Sequence, residues 1–352
     1  MRAMIVHADE GGCGFYRLQA PGRVLEAQGM DITWDLMATT MGVDVENRQV
    51  VRMDALDCDV VILQRAMTRT AVQTIEFIQA QGIAVVVEND DDYWNIDQRS
   101  HAFKEFHPRF NPDANYEWLT LASKAADLVT VSTPALARIT PNPNVVVLRN
   151  CVPAYYLDLE ADLGDNWHLV EGRKVVGWTG HPDYHAGDLS VVGNGVARAV
   201  RSTGSTFIGI GAEETHAELG FANDEVLYSP WLELDAYPKA VKNFDVGLVP
   251  LRMSPFNQCK SYLKGLEYAS LGVAFVASPT DEYRRLISLG AGELAAQKHD
   301  WSRTLSKLLT NDGYRAERIG EGLDVARELT YEKHAHNWAE AWERAIEIRR
   351  AA

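Results

Sequence analysis

The sequence predicts an α/β protein built from two Rossmann-like, doubly wound domains with an interdomain cleft. Short runs of β-branched and other apolar residues alternate with segments of helical period along the chain. Such fully apolar strands are typical of parallel sheets that are covered on both faces. A length of 352 residues accommodates two domains of ordinary size. The composition, with 46% hydrophobic and 24% charged residues, is that of a folded globular chain.

The first domain is predicted over residues 1–165. Its strands are expected at 4–7, 60–63, 83–87, 128–131 and 145–148. Segments of helical period lie between these strands, among them 17–28 and 70–81, and Gly82 ends the second of these helices. Strands that alternate with helices in this way predict a β/α domain with a parallel sheet.

The domain boundary is predicted within residues 140–172. This stretch carries Pro141, Pro143, Pro153 and Gly164, and it has no long periodic segment after Leu148. A second series of strands follows at 175–178, 206–209, 246–249 and 273–277, again with helical segments between them. Residues 166–330 are therefore predicted to form a second domain of the same kind.

The last segment, 331–352, is predicted to be a helix. Trp338, Trp342 and Ile346 stand at i, i+4 and i+8, which places one apolar stripe on an otherwise charged helix. A stripe of this kind needs a surface on which to pack.

The charge of the chain narrows the choice of partners. The 34 Lys and Arg residues against 49 Asp and Glu residues leave a net charge of −15. Duplex nucleic acid and anionic membranes are held through basic patches, so both are disfavoured as the main partner. An anionic ligand must therefore be bound by local groups.

The cysteines and the hydropathy pattern indicate a cytoplasmic protein. Cys13, Cys58, Cys151 and Cys259 are far apart and form no C-x-x-C pair, which favours neither a disulfide framework nor a zinc site. The first residues lack the apolar core of a signal peptide, and no stretch approaches the roughly 20 apolar residues of a membrane helix. A reducing cytosol is the expected compartment.

Two lysines in the segment 255–278 are the strongest candidates for binding an anion. If this segment forms one helix that ends at Gly272, then Lys260, Lys264 and Glu267 stand at i, i+4 and i+7 on one face. Two like charges at i and i+4 destabilise a helix by a few tenths of a kcal/mol unless an anion lies between them. Near a helix N-terminus that anion could be a diphosphate. The alternative is a solvated face with an ion pair between Lys264 and Glu267.

The same segment resembles a known family. Asn257, Lys260, Ser261, Lys264 and Glu267, followed by the sequence Tyr-Ala-Ser-Leu-Gly-Val, are similar to the donor-binding helix of GT-B glycosyltransferases of the family-4-like type, from bacteria or phage. Two other stretches of the chain resemble the same family: the glycine-rich sequence 176–180 with His185 and Asp188 after it, and the strand end at 244–251. The matches cover roughly residues 173–290 in the family's order.

The resemblance implies a reaction and a role in it for each domain. The chain would transfer a hexose from a nucleotide-diphosphate sugar, for which a UDP or GDP sugar is expected, to a hydroxyl of a glycan, protein or small-molecule acceptor. It would need neither a cofactor nor a bound metal. The first domain would bind the acceptor, the second would bind the nucleotide sugar, and the helix at 331–352 would pack back toward the first. Glu267 would hold the ribose, and Lys260 and Lys264, supported by Arg252 or Arg17, would neutralise the diphosphate.

Two positions depart from the family pattern. The residue eight before Glu267 is Cys259 where the family has an acid, and Ala274 replaces a proline. The missing acid leaves open the donor sugar and the choice between a retaining and an inverting outcome, and Asn257 or Ser261 could take its place. A catalytically idle nucleotide-sugar-binding protein therefore stays an alternative, as does a sugar-nucleotide epimerase of similar fold.

The first predicted strand is followed by a glycine-rich turn. Gly12 and Gly14 allow a ligand to approach the backbone, and Arg17 could reach an anion. The turn is not a dinucleotide fingerprint, because Arg17 stands where the third glycine would be, and it lacks the Gly-Lys-Ser/Thr of a P-loop. A plain tight turn is the alternative.

An acidic loop follows the predicted strand at 83–87. Asp91 and Asp92 are candidates to orient or deprotonate the acceptor hydroxyl. A metal site and a solvated or helix-capping loop are the alternatives for these adjacent acids.

Two histidines belong to the second glycine-rich loop. His181 and His185 flank a Pro-Asp-Tyr turn beside Thr179 and Gly180, where they could bind phosphates or sugar, and His185 is a candidate catalytic residue. Their spacing alone is a weak indication of zinc, and no metal site is predicted.

Overall fold

The structure is a computed structural model that describes residues 1–34, 41–44, 46–162, 170, 172–211, 217–222 and 225–352. The chain divides into two compact units, one made of Met1–Asn150 with Tyr331–Ala352 and the other of Cys151–Thr330. The boundary predicted at 165/166 lies outside the described residues.

The first unit is built on a parallel sheet of six strands in the order β2-β1-β5-β6-β7-β8. All five pairings between neighbouring strands of this sheet are parallel. A separate antiparallel pair, β3 and β4, lies outside it. The strands of the unit are β1 (Arg2–Val6), β2 (Asp31–Trp34), β3 (Met41–Asp44), β4 (Gln49–Met53), β5 (Val60–Gln64), β6 (Ala84–Asn89), β7 (Leu128–Val131) and β8 (Val145–Val147).

Helices connect these strands, and several begin at a capping side chain. The Thr68 hydroxyl accepts a hydrogen bond from the Ala71 backbone N–H at 3.1 Å, which fixes the start of the helix that the sequence predicts over 70–81. The helical segments of the unit are Gly12–Gly14, Phe15–Gln19 (a π-helix), Ala20–Ala27, Arg69–Ala80, Tyr93–Asn95 (a 3₁₀-helix), His101–Phe106, Tyr116–Ala125, Pro134–Ile139, Tyr331–His334 and His336–Ala351.

The C-terminal segment completes the core of the first unit. Trp338 and Trp342 are fully buried. The Trp338 indole N–H donates to the backbone carbonyl of Arg17 at 2.9 Å, and the Tyr331 hydroxyl donates to the carbonyl of Tyr16. The apolar stripe of this helix therefore packs on the unit formed by residues 1–150.

The second unit repeats the design with a parallel sheet in the order β11-β10-β9-β12-β13-β14. Its strands are β9 (Val175–Thr179), β10 (Thr206–Ile210), β11 (Val226–Ser229), β12 (Val246–Val249), β13 (Ala274–Ala277) and β14 (Glu293–Leu294). Its helical segments are Ala154–Asp158 and Leu189–Val192 (both 3₁₀), Gly195–Thr203, Tyr237–Val241, Pro255–Cys259, Leu263–Ser270, Asp281–Ser288, Lys298–Thr310 and Asp312–Glu328.

One predicted helix is wrong. The segment that ends at Gly272 is two helices, Pro255–Cys259 and Leu263–Ser270, and Lys260 between them has an extended backbone with φ −67° and ψ 140°. Ser254 caps the first helix by accepting from the Asn257 backbone N–H at 3.2 Å. Lys260 and Lys264 are therefore not neighbours on one helix face, and the spacing argument that brought them together does not apply.

Within the part of the chain that the structure describes, no helix is both long and apolar enough to span a bilayer.

Candidate functional site

The carboxyl edge of the second sheet brings several predicted residues together. Because parallel strands end at the same edge, the residues that follow β9, β10, β11 and β12 all lie there. Gly180 follows β9 and Gly211 follows β10, with φ values of +151° and +119°. A Cβ on Gly211 would lie 2.4 Å from the Gly180 carbonyl oxygen. The two loops therefore approach each other backbone to backbone, which only glycine permits here.

Lys264 lies at the first turn of the helix Leu263–Ser270 and points to the end of β9. Its Nζ donates to the Thr179 carbonyl oxygen at 3.0 Å and to the Thr179 hydroxyl at 2.6 Å. Burial lowers the pKa of Lys264; Glu267 opposes this shift and the charge of Lys260 adds to it. The two ammonium groups are thus close enough to interact, although the helix is broken between them.

Glu267 belongs to the same cluster through Tyr237. The Tyr237 hydroxyl lies 3.1 Å from the Thr179 hydroxyl and donates to Glu267 Oε2 at 3.4 Å. Glu267 is buried. Burial, followed by the charge of Glu267, raises the pKa of Tyr237 well above its usual value, so the phenol stays a hydrogen-bond donor. Tyr237 is a member of the site to which the sequence assigned no role.

A second network links the loop after β9 to the loop after β12. Asp188 accepts at Oδ1 from the Asn257 side-chain amide at 2.7 Å and from the Arg252 backbone N–H at 2.9 Å. Its other oxygen lies 3.3 Å from Nδ1 of His185. Asp188 is buried and, like Tyr237, was not predicted as a site residue.

The environment of His185 favours its neutral form. Burial lowers the pKa of His185, and the charges of Lys260 and Lys264 lower it further, while the hydrogen bond and the charge of Asp188 oppose the change. An additional negative charge beside the His185 ring would raise this pKa and favour the protonated form. His185 and the two lysines therefore face one small region at the carboxyl edge.

The other predicted residues of this unit lie on the same loops. His181 follows Gly180, and its Nδ1 accepts from the Asp183 backbone N–H at 3.3 Å. The Ser261 hydroxyl accepts from the Leu263 backbone N–H at 3.4 Å. The Lys260 ammonium lies 4.5 Å from the centre of the Phe256 ring.

The glycine-rich turn of the first unit is organised by Asp9. The Asp9 carboxylate accepts from the backbone N–H groups of Gly11, at 2.8 Å, and Gly14, at 3.2 Å. A Cβ on Gly14 would lie 1.9 Å from the Asp9 carbonyl oxygen, so glycine is required there, whereas Gly12 has more room. This geometry favours the tight turn, and a role of Gly12 and Gly14 in binding stays a prediction.

Arg17 is part of a buried ion pair. Its Nε donates to Glu88 Oε1 at 2.7 Å, and its NH1 donates to the Asn150 side chain at 2.7 Å and to the Leu148 carbonyl. Arg17 is only 1% exposed. Burial raises the pKa of Glu88 in spite of the arginine. The structure thus gives Arg17 a structural role in this ion pair. Its role in binding an anion stays a prediction.

The acidic loop after β6 has two kinds of carboxylate. The Asp92 side chain is 1% exposed and accepts from the Asn95 amide at 2.9 and 3.1 Å, whereas Asp91 is half-buried. Burial by itself raises the pKa of the neighbouring Asp90, but the charge of Arg65 and the hydrogen bonds of Cys13 and Tyr93 outweigh it and leave the pKa below its usual value.

Arg65 has an unusual backbone. It follows β5 with φ +48°, in the left-handed region that a non-glycine residue seldom adopts, and it forms an ion pair with Asp9. No sequence signal marks this residue.

Among the described residues, no three His, Cys, Asp or Glu side chains form a group that could hold a metal ion.

No family model matches the sequence, and no curated protein does. Solved structures with the same fold are found at low identity. The sucrose-phosphate synthase of Thermosynechococcus elongatus is 13% identical, with a TM-score of 0.63 and 100% of both chains covered. The Anabaena protein HepE, solved in complex with UDP and glucose, is 14% identical, with a TM-score of 0.64 over 97% of this chain and 99% of that one. The UDP-forming α,α-trehalose-phosphate synthase of Burkholderia xenovorans is 13% identical, with a TM-score of 0.56 over 81% and 73%.

These neighbours are glycosyltransferases of the GT-B fold. At such identities the likeness establishes the fold of this chain and not its activity. The predicted fold class, α/β of the GT-B type with two Rossmann-like sheets, is confirmed. The closer resemblance to family-4-like enzymes of bacteria or phage stays a prediction.

Proposed function

We propose that this chain is a glycosyltransferase that moves a hexose from a UDP or GDP sugar to an acceptor hydroxyl. The observation that carries the proposal is the position of Lys264 at the carboxyl edge of the second sheet, held on Thr179 beside the loop of Gly180. The ligand of an open α/β sheet is expected at this edge. Among the neighbours, HepE was solved with UDP and glucose, which supports a UDP sugar as donor.

The electrostatics of the edge suit a diphosphate. An ammonium group has three N–H donors, and in the described part of the chain two hydrogen bonds of Lys264 go to Thr179. The third donor is then available to a phosphate oxygen. Burial lowers the pKa of Lys264, so its charge is poorly solvated and an anion in contact would stabilise it. The first turn of the helix Leu263–Ser270 adds a favourable dipole.

Sugar transfer makes the diphosphate more negative as the bond to the anomeric carbon breaks. Groups that are already in place to receive this charge lower the barrier most. We assign this task to Lys264 and Lys260, with Arg252 as a supporting cation. His185, whose Nδ1 is directed to Asp188, would take up a proton when the donor binds and donate from Nε2 to the departing phosphate. Glu267, held by Tyr237, is assigned to the ribose.

The acceptor side is proposed for the first unit. A carboxylate of the loop after β6 would orient the acceptor hydroxyl or accept its proton. Asp91 suits this better than Asp92, because the Asp92 carboxylate is buried against Asn95. One neighbour, the trehalose-phosphate synthase, was solved with glucose-6-phosphate, which supports a sugar among the glycan, protein and small-molecule acceptors considered. We propose a reaction without a bound metal, in the cytoplasm, consistent with four cysteines that form no disulfide.

The second candidate is a nucleotide-sugar-binding protein without catalysis. It is favoured by one residue, Cys259, which is 5% exposed and stands where the resembling family has an acid that contacts the sugar. Such a protein would keep the diphosphate site described above and lose the turnover.

A panel of UDP, GDP, ADP, TDP and CMP sugars separates the two candidates. An enzyme should be protected against thermal unfolding by one class of donor and should also hydrolyse or transfer its labelled sugar. A binding protein should show protection alone. If no member of the panel raises the melting temperature or is turned over, the proposed function is wrong.

A further inference from the structure

A cavity of about 560 Å³ lies at the amino edge of the first sheet. It is lined by the segment 53–59 before β5, by the turn 81–83 before β6 and by the end of the helix His336–Ala351. All three belong to the first unit. The six residues of β6 lie between this cavity and the acidic loop, and at about 3.3 Å per residue they separate the two by roughly 20 Å. The cavity is therefore apart from the site described above, and its volume is typical of small-molecule sites.

The walls of the cavity are mostly apolar. The apolar residues that line it are Met53, Ala55, Leu56, Cys58, Ile83 and Ile346. Cys58 is buried, and its burial raises the pKa of the thiol to about 11, so the thiol stays neutral at pH 7 and forms part of the wall. Covering such walls with the apolar body of a ligand removes apolar surface from water and is favourable.

The rim of the cavity is held by one side chain. The Gln81 side chain accepts from the Leu56 backbone N–H at 2.9 Å and donates to the Asp54 carbonyl oxygen at 3.2 Å. These bonds fix the segment 53–59 against the end of the helix Arg69–Ala80. The cavity is therefore formed before a ligand binds, which reduces the entropy that binding costs.

The charges around the cavity leave one cation without a partner. Asp59 accepts from the Arg2 backbone N–H at 2.7 Å and from its guanidinium at 3.3 Å, and the same guanidinium forms an ion pair with Asp57. Arg350, in the last turn of the helix His336–Ala351, is exposed and lines the cavity. Within the part of the chain that the structure describes, Arg350 forms no hydrogen bond or ion pair. The group that remains to bind a ligand is thus a single guanidinium beside apolar walls.

We propose that this cavity binds a small amphiphilic carboxylate, with its carboxylate on Arg350 and its apolar tail against the walls. A guanidinium offers a planar pair of donors that matches a carboxylate. The tail contributes most of the binding free energy, because Arg350 is exposed and water weakens an ion pair there. Since the ligand contacts both the last helix and the segment before β5, its binding stabilises the first unit against unfolding.

Isothermal titration of the full chain with octanoate, 1-octanol and acetate tests this. Wild type should bind one octanoate per chain, about ten-fold or more tighter than acetate, which lacks the tail. Arg350→Gln should weaken octanoate binding about five-fold and leave 1-octanol binding within about two-fold. Leu56→Ala should weaken octanoate and 1-octanol alike, about three- to ten-fold, because it removes part of the wall.

Arg344→Gln is the matched control. Arg344 is another exposed arginine of the helix His336–Ala351, and it does not line the cavity, so its loss should change none of the three affinities. Circular dichroism of each variant checks that the fold is kept.

Three results would overturn the proposal. If wild type binds octanoate no more tightly than acetate, the walls take no apolar tail. If Arg350→Gln binds octanoate as wild type does, the arginine does not receive the carboxylate. If Arg350→Gln loses 1-octanol as strongly as octanoate, the arginine acts on the shape of the cavity and not on a charge. None of these results bears on the proposed function, because no residue of the cavity is assigned to it.

Discussion

Lys264 holds its ammonium nitrogen 3.0 Å from the carbonyl oxygen and 2.6 Å from the hydroxyl of Thr179, a residue 85 positions earlier in the chain. The bond fixes a cation at the end of the strand β9. A long, flexible side chain that is already ordered loses less entropy when a ligand binds. The lysine side chain is therefore already in place before any nucleotide arrives.

Removing this ammonium group should weaken donor binding. We expect Lys264→Ala to lose about ten- to a hundred-fold in affinity for UDP-glucose, since a hydrogen bond to a charged group contributes roughly 1.5–3 kcal/mol. Titration calorimetry measures the loss, and circular dichroism checks that the fold is kept. Lys307→Ala is the control, because Lys307 is an exposed lysine of the same unit. Equal affinities for wild type and Lys264→Ala would remove the basis of the proposed function.

Donor binding should strengthen as the pH falls. In the free protein the pKa of His185 is lower than usual because of burial, to which the charges of Lys260 and Lys264 add and which Asp188 opposes. A phosphate beside the ring would raise this pKa, so binding takes up a proton, and the affinity rises as the pH drops between the bound and the free pKa. UDP-glucose is the suitable ligand, since its doubly esterified diphosphate does not titrate near neutrality.

We expect tighter binding of UDP-glucose at about pH 6 than at about pH 8, and a His185→Gln variant without this slope. The folded state must be checked at each pH, because a histidine with a lowered pKa contributes stability above its usual pKa that is lost as the pH falls through the folded value. A slope that survives in His185→Gln would show that another group takes up the proton.

The close approach of the two glycine loops predicts a large effect of one methyl group. Gly211→Ala should destabilise the protein by about 2–5 kcal/mol, because a left-handed backbone costs about 1–2 kcal/mol and the methyl group would meet the Gly180 carbonyl oxygen. Gly204→Ala separates the two causes. Gly204 has φ +66° but open space around it, so it should show only the backbone cost. Urea unfolding measures both, and equal losses would mean that the loops can move apart.

The buried pair of Arg17 and Glu88 predicts stability of the first unit. Glu88→Gln should destabilise it by about 3–5 kcal/mol, because the arginine charge is left buried without its partner. The double variant Arg17→Met with Glu88→Leu should recover much of this loss in thermal unfolding. The affinity of the Arg17→Met variant for UDP-glucose tests the predicted role of Arg17 in binding the diphosphate. Arg17→Met that stays folded but loses affinity would assign the arginine to the diphosphate, and unchanged affinity would leave it structural.

Central strands were predictable from the sequence, whereas three of the four edge strands of the two six-stranded sheets were not; the fourth, β8, was predicted at 145–148. The run Val-Val-Ile-Leu in β5 and the strand β12 are buried on both faces, so continuous apolar residues marked them. The strands β2, β11 and β14 lie at or next to sheet edges, and β14 has only two residues. Their half-exposed sequences lack the continuous apolar signal, because an edge strand is covered less completely.

The site was predictable as a set of residues but not as a set of contacts. The residue types at 257–267 indicated an anion site, yet no glycine or proline marks the break at Lys260, so the sequence predicted one helix. The bonds of Lys264 to Thr179 and of Arg17 to Glu88 join residues 85 and 71 positions apart. Periodicity reports only neighbours within an element, which is why the burial of Arg17 and the role of Asp188 could not be foreseen.

The first unit is interrupted in the chain by the whole of the second, since it consists of Met1–Asn150 and Tyr331–Ala352. During synthesis the ribosome has therefore delivered all of residues 151–330 before Trp338 exists to bond the carbonyl of Arg17. The second unit, Cys151–Thr330, is therefore complete in the chain before the first. Until then, the sheet of residues 1–150 lacks the C-terminal helix that covers it. A nascent chain stalled before Tyr331 would expose that surface to chaperones and proteases.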